Sequence, residues 1–186
     1  MNSFYEEQEL MKFGFQHLGT DVQISRKASV YSPSTISLGD HVRIDDFCIL
    51  SGHIEIGNYV HISAYTALYG KGTIRIGNYC GCSPRCTLFS QTDDFSGEYM
   101  IGPMIDEAFT NVLCGPIVFE DYVQLGANSI VMPNVTLHQG AVSGAFSFVK
   151  DDLEAWSISV GIPARKVKDR SQTLLTRMKE GKCENE

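Results

Sequence analysis

The chain lacks the features that mark several large classes of protein. No apolar run approaches the ~20 residues of a membrane-spanning helix. Lys and Arg number 15 against 22 Asp and Glu, a net charge of -7, so no broad basic face exists to hold nucleic acid. The opening MNSFYEEQEL carries acids and no positively charged stretch, unlike a secretory leader, and the chain reads as cytoplasmic. There is no G-x-x-x-x-G-K-[ST] phosphate loop. With 6 prolines and 43% hydrophobic residues in 186, collagen-like, low-complexity and wholly disordered readings also fall away. Histidine is sparse: of five, none lies between residues 62 and 137. Cysteine is not scarce, but six in an intracellular chain read as free thiols and not as a disulfide framework.

What the chain does have is a repeat. Leu38-Gly39-Asp40-His41-Val42 recurs as Ile56-Gly57-Asn58-Tyr59-Val60, as Ile76-Gly77-Asn78-Tyr79-Cys80 and as Phe119-Glu120-Asp121-Tyr122-Val123. The first step is 18 residues and the second 20; the third, 43, is an 18-residue step carrying an insertion of 25. Inside these blocks runs a finer period of six. Aliphatic residues stand at Ile44, Leu50, Ile56, Ile62 and Leu68, then at Leu125, Val131, Leu137 and Val149, with Ser143 interrupting. Two residues before them the side chain is small or β-branched, as at Val42, Cys48, Val60 and Thr66. A period of six matches neither the 3.6 of a helix nor the 2 of an isolated strand. It fits an all-β solenoid with three flat sides, each a short strand and a turn, so that 18 residues close one coil. Stacked coils then pair their backbones at the ~4.8 Å spacing of any sheet. Cys82 falls at the aliphatic phase and Cys48, Cys80 and Cys86 at the small inward one. These thiols therefore read as core, and no metal site is expected.

The ends differ. Ser3 followed by Glu6 is a capping-box pattern that predicts a short helix over Phe4–Phe13, closing the open end of the solenoid. After Pro163, Leu174, Leu175 and Met178 fall at helical spacing. They predict a second helix from Ser171, ending before Gly181, with Lys182–Glu186 frayed. The chain thus divides into a capping segment 1–17, a solenoid 18–167 with the loop 90–116 inserted, and a helix and tail 168–186.

Three features together, the hexads, the excursion between Ser90 and Pro116 and the closing Val160-Gly161-Ile162-Pro163-Ala164-Arg165, resemble the hexapeptide-repeat acyltransferases. The resemblance covers residues 18 to 170 and is nearest the sugar O- and N-acetyltransferase branch. It implies a left-handed parallel β-helix, a homotrimer with sites between subunits, and acetyl-CoA as co-substrate without a metal. The acceptor it implies is a sugar, foremost a nucleotide-linked amino sugar of surface-polysaccharide (lipopolysaccharide) biosynthesis.

By matched position, Ser83 falls where the family touches the pantetheine arm, and Ala127 and Ala145 where small residues leave a groove for it. Arg165 and Lys168 match cations that meet the nucleotide phosphates, in a basic cluster with Lys166 and Arg170. The position of the family's loop histidine, the base for hydroxyl acceptors, is occupied here by Asp93. His61, one coil below Gly81, is the best remaining base, since histidine titrates near neutrality. Ser63, Tyr65 and Asp94 are the candidate acceptor contacts. Losing the loop histidine shifts weight toward N-acetylation. A neutral amine is already nucleophilic, and Asp93 would hold its ammonium form.

The alternative within the class is O-acetylation of a galactoside-like sugar. More distant are a γ-carbonic-anhydrase-like hydratase, for which the H-x4-H spacing of zinc ligands is missing, and a non-catalytic assembly solenoid, which leaves the long polar loop unexplained.

Overall fold

The computed structural model describes residues 3–183. The protein is a parallel β-solenoid of about seven turns with a few short helices. Its first wall stacks Leu18, Leu38, Ile56, Ile76, Phe119 and Leu137 in register. The second stacks Ile24, Ile44, Ile62, Cys82, Leu125 and Ser143. The third stacks Val30, Leu50, Leu68, Leu88, Val131 and Val149. The six-residue phase is therefore the inside of the prism, and nearly all of these side chains are buried.

The repeated blocks form one corner. Asn58 Oδ1 accepts from the Asp40 amide, Asn78 Oδ1 from Asn58, and Asp121 Oδ1 from Asn78, at 2.7–2.9 Å. Each Asn or Asp thus bonds a coil to its neighbour where the strand ladder is interrupted by the turn. The preceding glycine is required by closeness: a Cβ on Gly77 would lie 2.7 Å from Asp121 Oδ1. The following rings stack as a ladder, His41 on Tyr59 at 4.5 Å, Tyr59 on Tyr79 at 5.0 Å and Tyr79 on Tyr122 at 5.3 Å.

Cys48, Cys80, Cys82 and Cys86 behave as core, while Cys114 in the excursion is exposed. Burial pushes the Cys48 and Cys86 thiols up to about 11, Cys80 to about 12 and Cys82 well above its ordinary value. Among the described residues no group of three metal-ligating side chains occurs. At Ser143 the break in the aliphatic run is filled by hydrogen bonds, its hydroxyl reaching Ser129 Oγ at 3.3 Å and the Gly144 carbonyl at 3.1 Å.

The excursion leaves through a tight neck. Gln91–Thr92 pairs antiparallel with Leu113–Cys114, and buried Ser90 donates to the Tyr69 carbonyl at 2.7 Å while accepting from the Gly72 amide at 2.8 Å. Because the neck is closed, Ile117 pairs directly with Ile74 and the solenoid resumes without a register shift.

Both ends correct the sequence reading. No helix spans Phe4–Phe13. Phe4 bridges Ser25, and the Tyr5 amide bonds the Ile24 carbonyl at 2.9 Å, so backbone pairing covers the sheet edge. Helix α1 (Glu7–Leu10) follows, continued by a 3₁₀ turn at Met11–Phe13, and its capping box uses Glu6 and Glu9 in place of Ser3 and Glu6. Helix α2 (Thr173–Cys183) begins two residues later than expected, because the Ser171 hydroxyl accepts from the Thr173 amide at 3.2 Å. It runs through Gly181, so Lys182 and Cys183 are helical, and 184–186 lie outside the described residues. Among the described residues no helix is long and apolar enough to cross a membrane.

Candidate active site

Wall two carries the groove. Ile62 points inward, so strand alternation turns His61 and Ser63 outward, and the next coil presents Gly81 and Ser83 in the same columns. Gln124 follows Gly81 on the coil above. The missing side chain at Gly81 opens a groove of about 300 Å³ between His61 and Gln124, with Ser63 and Ser83 on one side and Tyr59 and Tyr79 at the rim. The Gln124 amide donates to the Tyr79 carbonyl at 3.2 Å, and a Cβ on Gly81 would meet Gln124 Oε1 at 2.5 Å. Gln124 was not singled out in the sequence. The signal was there, since it stands 43 residues after Gly81, the lengthened coil step.

His61 is oriented by Asp45, another residue the sequence reading passed over. His61 Nε2 lies 2.7 Å from Asp45 Oδ2, and Arg43 Nε donates to Asp45 Oδ1 at 2.8 Å. Partial burial pushes the Asp45 carboxyl up, but the bonds from Arg43 and His61 outweigh it and hold the group below its ordinary range. With Asp45 ionised, the imidazole proton belongs on Nε2, which leaves Nδ1 as the acceptor.

The coenzyme candidates form a continuous strip beside Ser83. The Asn128 amide bonds the Pro84 carbonyl at 3.0 Å and the Phe146 amide bonds the Ala127 carbonyl at 2.8 Å, which stacks Pro84, Ala127 and Ala145 at one corner. All three side chains of this strip are small. The basic cluster is different from its sequence appearance. Arg165 is held by Asp151 at 2.9 Å, and Lys166 by Glu154 at 2.9 Å and Asp169 at 2.8 Å. Arg170 donates to the Tyr122 and Gly140 carbonyls at 2.7 and 2.9 Å and packs over Trp156, so it ties coils together. Lys168 stands opposite Ile158 at the last strand, and no carboxylate among the described residues pairs with it.

The acceptor candidates separate as well. Tyr65 sits at the corner beside Ser63 and stacks on Phe47 at 4.9 Å. Asp94 is turned into the excursion. Its oxygens accept from the Ser96 amide and from Asn111 Nδ2, both at 2.7 Å, and these bonds hold its carboxyl below the usual range. Asp93 stands half-buried at the start of the excursion and not in the groove, so one chain does not bring it to His61.

A solenoid of hexapeptide coils, a long excursion and a narrow groove along one wall define a hexapeptide-repeat acyltransferase. The acetyltransferase VCA0836 of Vibrio cholerae, solved with acetyl coenzyme A, shares the fold at 22% identity and a TM-score of 0.62 over 89% of this chain and 76% of its own. Within that class the chain belongs to the dTDP-4-amino-4,6-dideoxyglucose acyltransferase family. It is 42% identical over 176 residues to the dTDP-4-amino-4,6-dideoxy-D-glucose acyltransferase of Escherichia coli, 93% of this chain and 92% of that one. It is 46% identical to AntD, an N-acyltransferase from Bacillus cereus solved with dTDP and 3-hydroxybutyryl-CoA, with a TM-score of 0.96 over the whole of both chains. Further AntD structures carry replacements of one aspartate or one serine, two positions ten residues apart in that protein. No family model matches the chain.

Proposed function

We propose that the protein transfers an acetyl group from acetyl-CoA to the amine of a dTDP-linked 4-amino-4,6-dideoxy sugar. The observation that carries this reading is the 42% identity, over nearly all of both chains, to an enzyme named for that acceptor. The bound ammonium first gives one proton to His61 and thence to solvent; the free amine attacks the thioester carbonyl, an amide C–N bond forms, the C–S bond breaks, and the second proton shed by the nitrogen ends on the departing coenzyme thiolate. His61 Nδ1 is the proton relay, poised by Asp45. Ser83 and Asp93, ten residues apart, stand in the same relation as the serine and aspartate replaced in AntD. Ser83 positions the thioester beside the Ala127–Ala145 channel, with Lys168 meeting the coenzyme phosphates, and Asp93 holds the ammonium.

Asp93 reaches the groove from a neighbouring copy in a homotrimer. The exposed apolar residues of the excursion, Phe95, Ile101, Met104 and Phe109 among them, support that assembly. We place the enzyme in the cytoplasm, where coenzyme and nucleotide-sugar pools are made, and its product in the assembly of surface polysaccharide such as lipopolysaccharide.

The test is thiol release from acetyl-CoA with dTDP-4-amino-4,6-dideoxyglucose, against dTDP-glucose, which has no amine. Turnover with the first and none with the second is expected. Equal rates, or none with the amine, would sink the reading. Running 3-hydroxybutyryl-CoA in parallel shows whether the acyl group is wider than acetyl.

A further inference from the structure

Two ligands of this reading carry a pyrophosphate, dTDP and coenzyme A, yet several cations of the solenoid are already held. Arg43 ends on Asp45, Lys27 on Asp46 and Arg165 on Asp151. Arg85 is different. It follows Ser83 by two residues at the corner beside the groove, its guanidinium lies 5.3 Å over the Tyr65 ring, and no carboxylate among the described residues pairs with it. Tyr65 is itself braced on Phe47 at 4.9 Å, and Lys27 closes the far end of the stack at 5.3 Å from the Phe47 ring. Stacking fixes the plane of the guanidinium while using none of its five donors. The result is a planar fork aimed outward, the shape that meets two phosphate oxygens at once.

We propose that Arg85, braced on Tyr65, binds the diphosphate of the nucleotide-sugar acceptor. The proposal rests on the acyl-transfer reading of the groove and adds to it where the nucleotide lies. The spacing carries it. The α-carbons of Ser83 and Arg85 are no more than about 7 Å apart. In a 4-amino hexose joined to a diphosphate through C1, one pyranose ring separates the amine from the first phosphate. An amine placed between His61 and Ser83 leaves that phosphate within reach of the Arg85 corner. The coenzyme pyrophosphate has its own unpaired cation elsewhere. Lys168 is paired with Ile158, which lies three coil steps along wall two from Gly81, through Gln124 and Val142.

The experiment compares wild type, Arg85→Ala and Arg85→Lys at matched melting temperature. With acetyl-CoA saturating, Arg85→Ala should raise the acceptor KM about 10- to 100-fold and leave kcat and the acetyl-CoA KM within about twofold. Arg85→Lys should recover part of the loss, since a point charge attracts phosphate without the fork. Calorimetric titration should show dTDP weakened by the same factor and thymidine unchanged. A rise in the acetyl-CoA KM in place of the acceptor KM would assign Arg85 to the coenzyme and overturn the proposal, as would unaltered dTDP affinity. The dTDP titration needs no turnover. A wild-type protein that binds dTDP and acylates nothing would thus fail the activity reading separately from this one.

Discussion

Along the walls of the solenoid, apolar side chains point inward and corner residues bond or stack on the coil next to them. In the excursion the opposite holds: Met104 is 93% exposed and Phe95 77%, and the segment is joined to the solenoid by a neck of a few hydrogen bonds. The walls are complete within one chain. The excursion leaves apolar surface exposed, and it carries Asp93, which lies outside the groove on wall two. The comparison teaches that the coils hold themselves, whereas under the proposed function the reaction is shared between a coil and a loop.

Removing the loop is the severest test of that division. Excising residues 95–111 and closing Asp94 to Val112 with a two-residue turn should leave the far-ultraviolet spectrum of the solenoid intact. Turnover should fall by more than ~10³-fold, because the reacting groups lose their mutual placement, and sedimentation should move from trimer to monomer. Loss of the folded spectrum would show that the walls depend on the loop.

The two halves of the site should then fail differently. His61→Ala is expected to lower kcat by about 10²–10⁴ with acetyl-CoA affinity nearly unchanged. Asp93→Asn should chiefly raise the acceptor KM. Near-normal turnover in His61→Ala, with folding and assembly intact, would move proton removal to Asp93 or to the substrate itself.

Smaller effects divide the basic end of the chain. Arg170→Ala, which leaves the carbonyls of Tyr122 and Gly140 without their donor, should cost about 1–3 kcal/mol in chemical denaturation. Arg165→Ala, at an exposed pair with Asp151, should cost under about 1 kcal/mol. Equal costs would erase the distinction between a coil tie and a surface cation.

The last expected effect concerns acid. The Asp45 carboxyl is depressed in the folded state, so its bonds contribute stability above the ordinary carboxylate value near 4, lost as pH falls through the lowered one. Wild type should therefore lose about 1 kcal/mol more than Asp45→Asn between pH 5 and pH 2. Parallel stability curves for the two proteins would mean that the Arg43 and His61 bonds are idle.

The fold was legible because a hexad is a local statement: Ile44, Ile62 and Leu125 each announce the inside of the prism by phase alone. The aromatic ladder was legible for the same reason, His41 taking the place of Tyr59 and Tyr79. The ends were misread where a tertiary partner won, as when Phe4 paired with the open sheet edge and displaced the helix. The site was harder, since charge partners arrive from other coils. Arg165 and Lys166 look like free cations until Asp151, Glu154 and Asp169 are folded against them. Asp45, 16 residues before His61, and Gln124, 43 after Gly81, meet their neighbours only through stacking. Nothing in Asp93-Asp94 says which carboxylate turns back toward Asn111; the fold shows that it is Asp94.

The neck at Ser90 has a consequence for how such a chain can change over time. Gly72 and Gly115 approach there so closely that a Cβ on Gly72 would lie 2.7 Å from the Gly115 amide nitrogen. Ile117 then resumes pairing with Ile74 whatever the intervening path does. Insertions, deletions and exchanges confined between those points leave every coil beneath them in phase. Under the proposed function the excursion is thus a replaceable cassette on a fixed rack, free to be retuned while the coils on either side of it stay as they are.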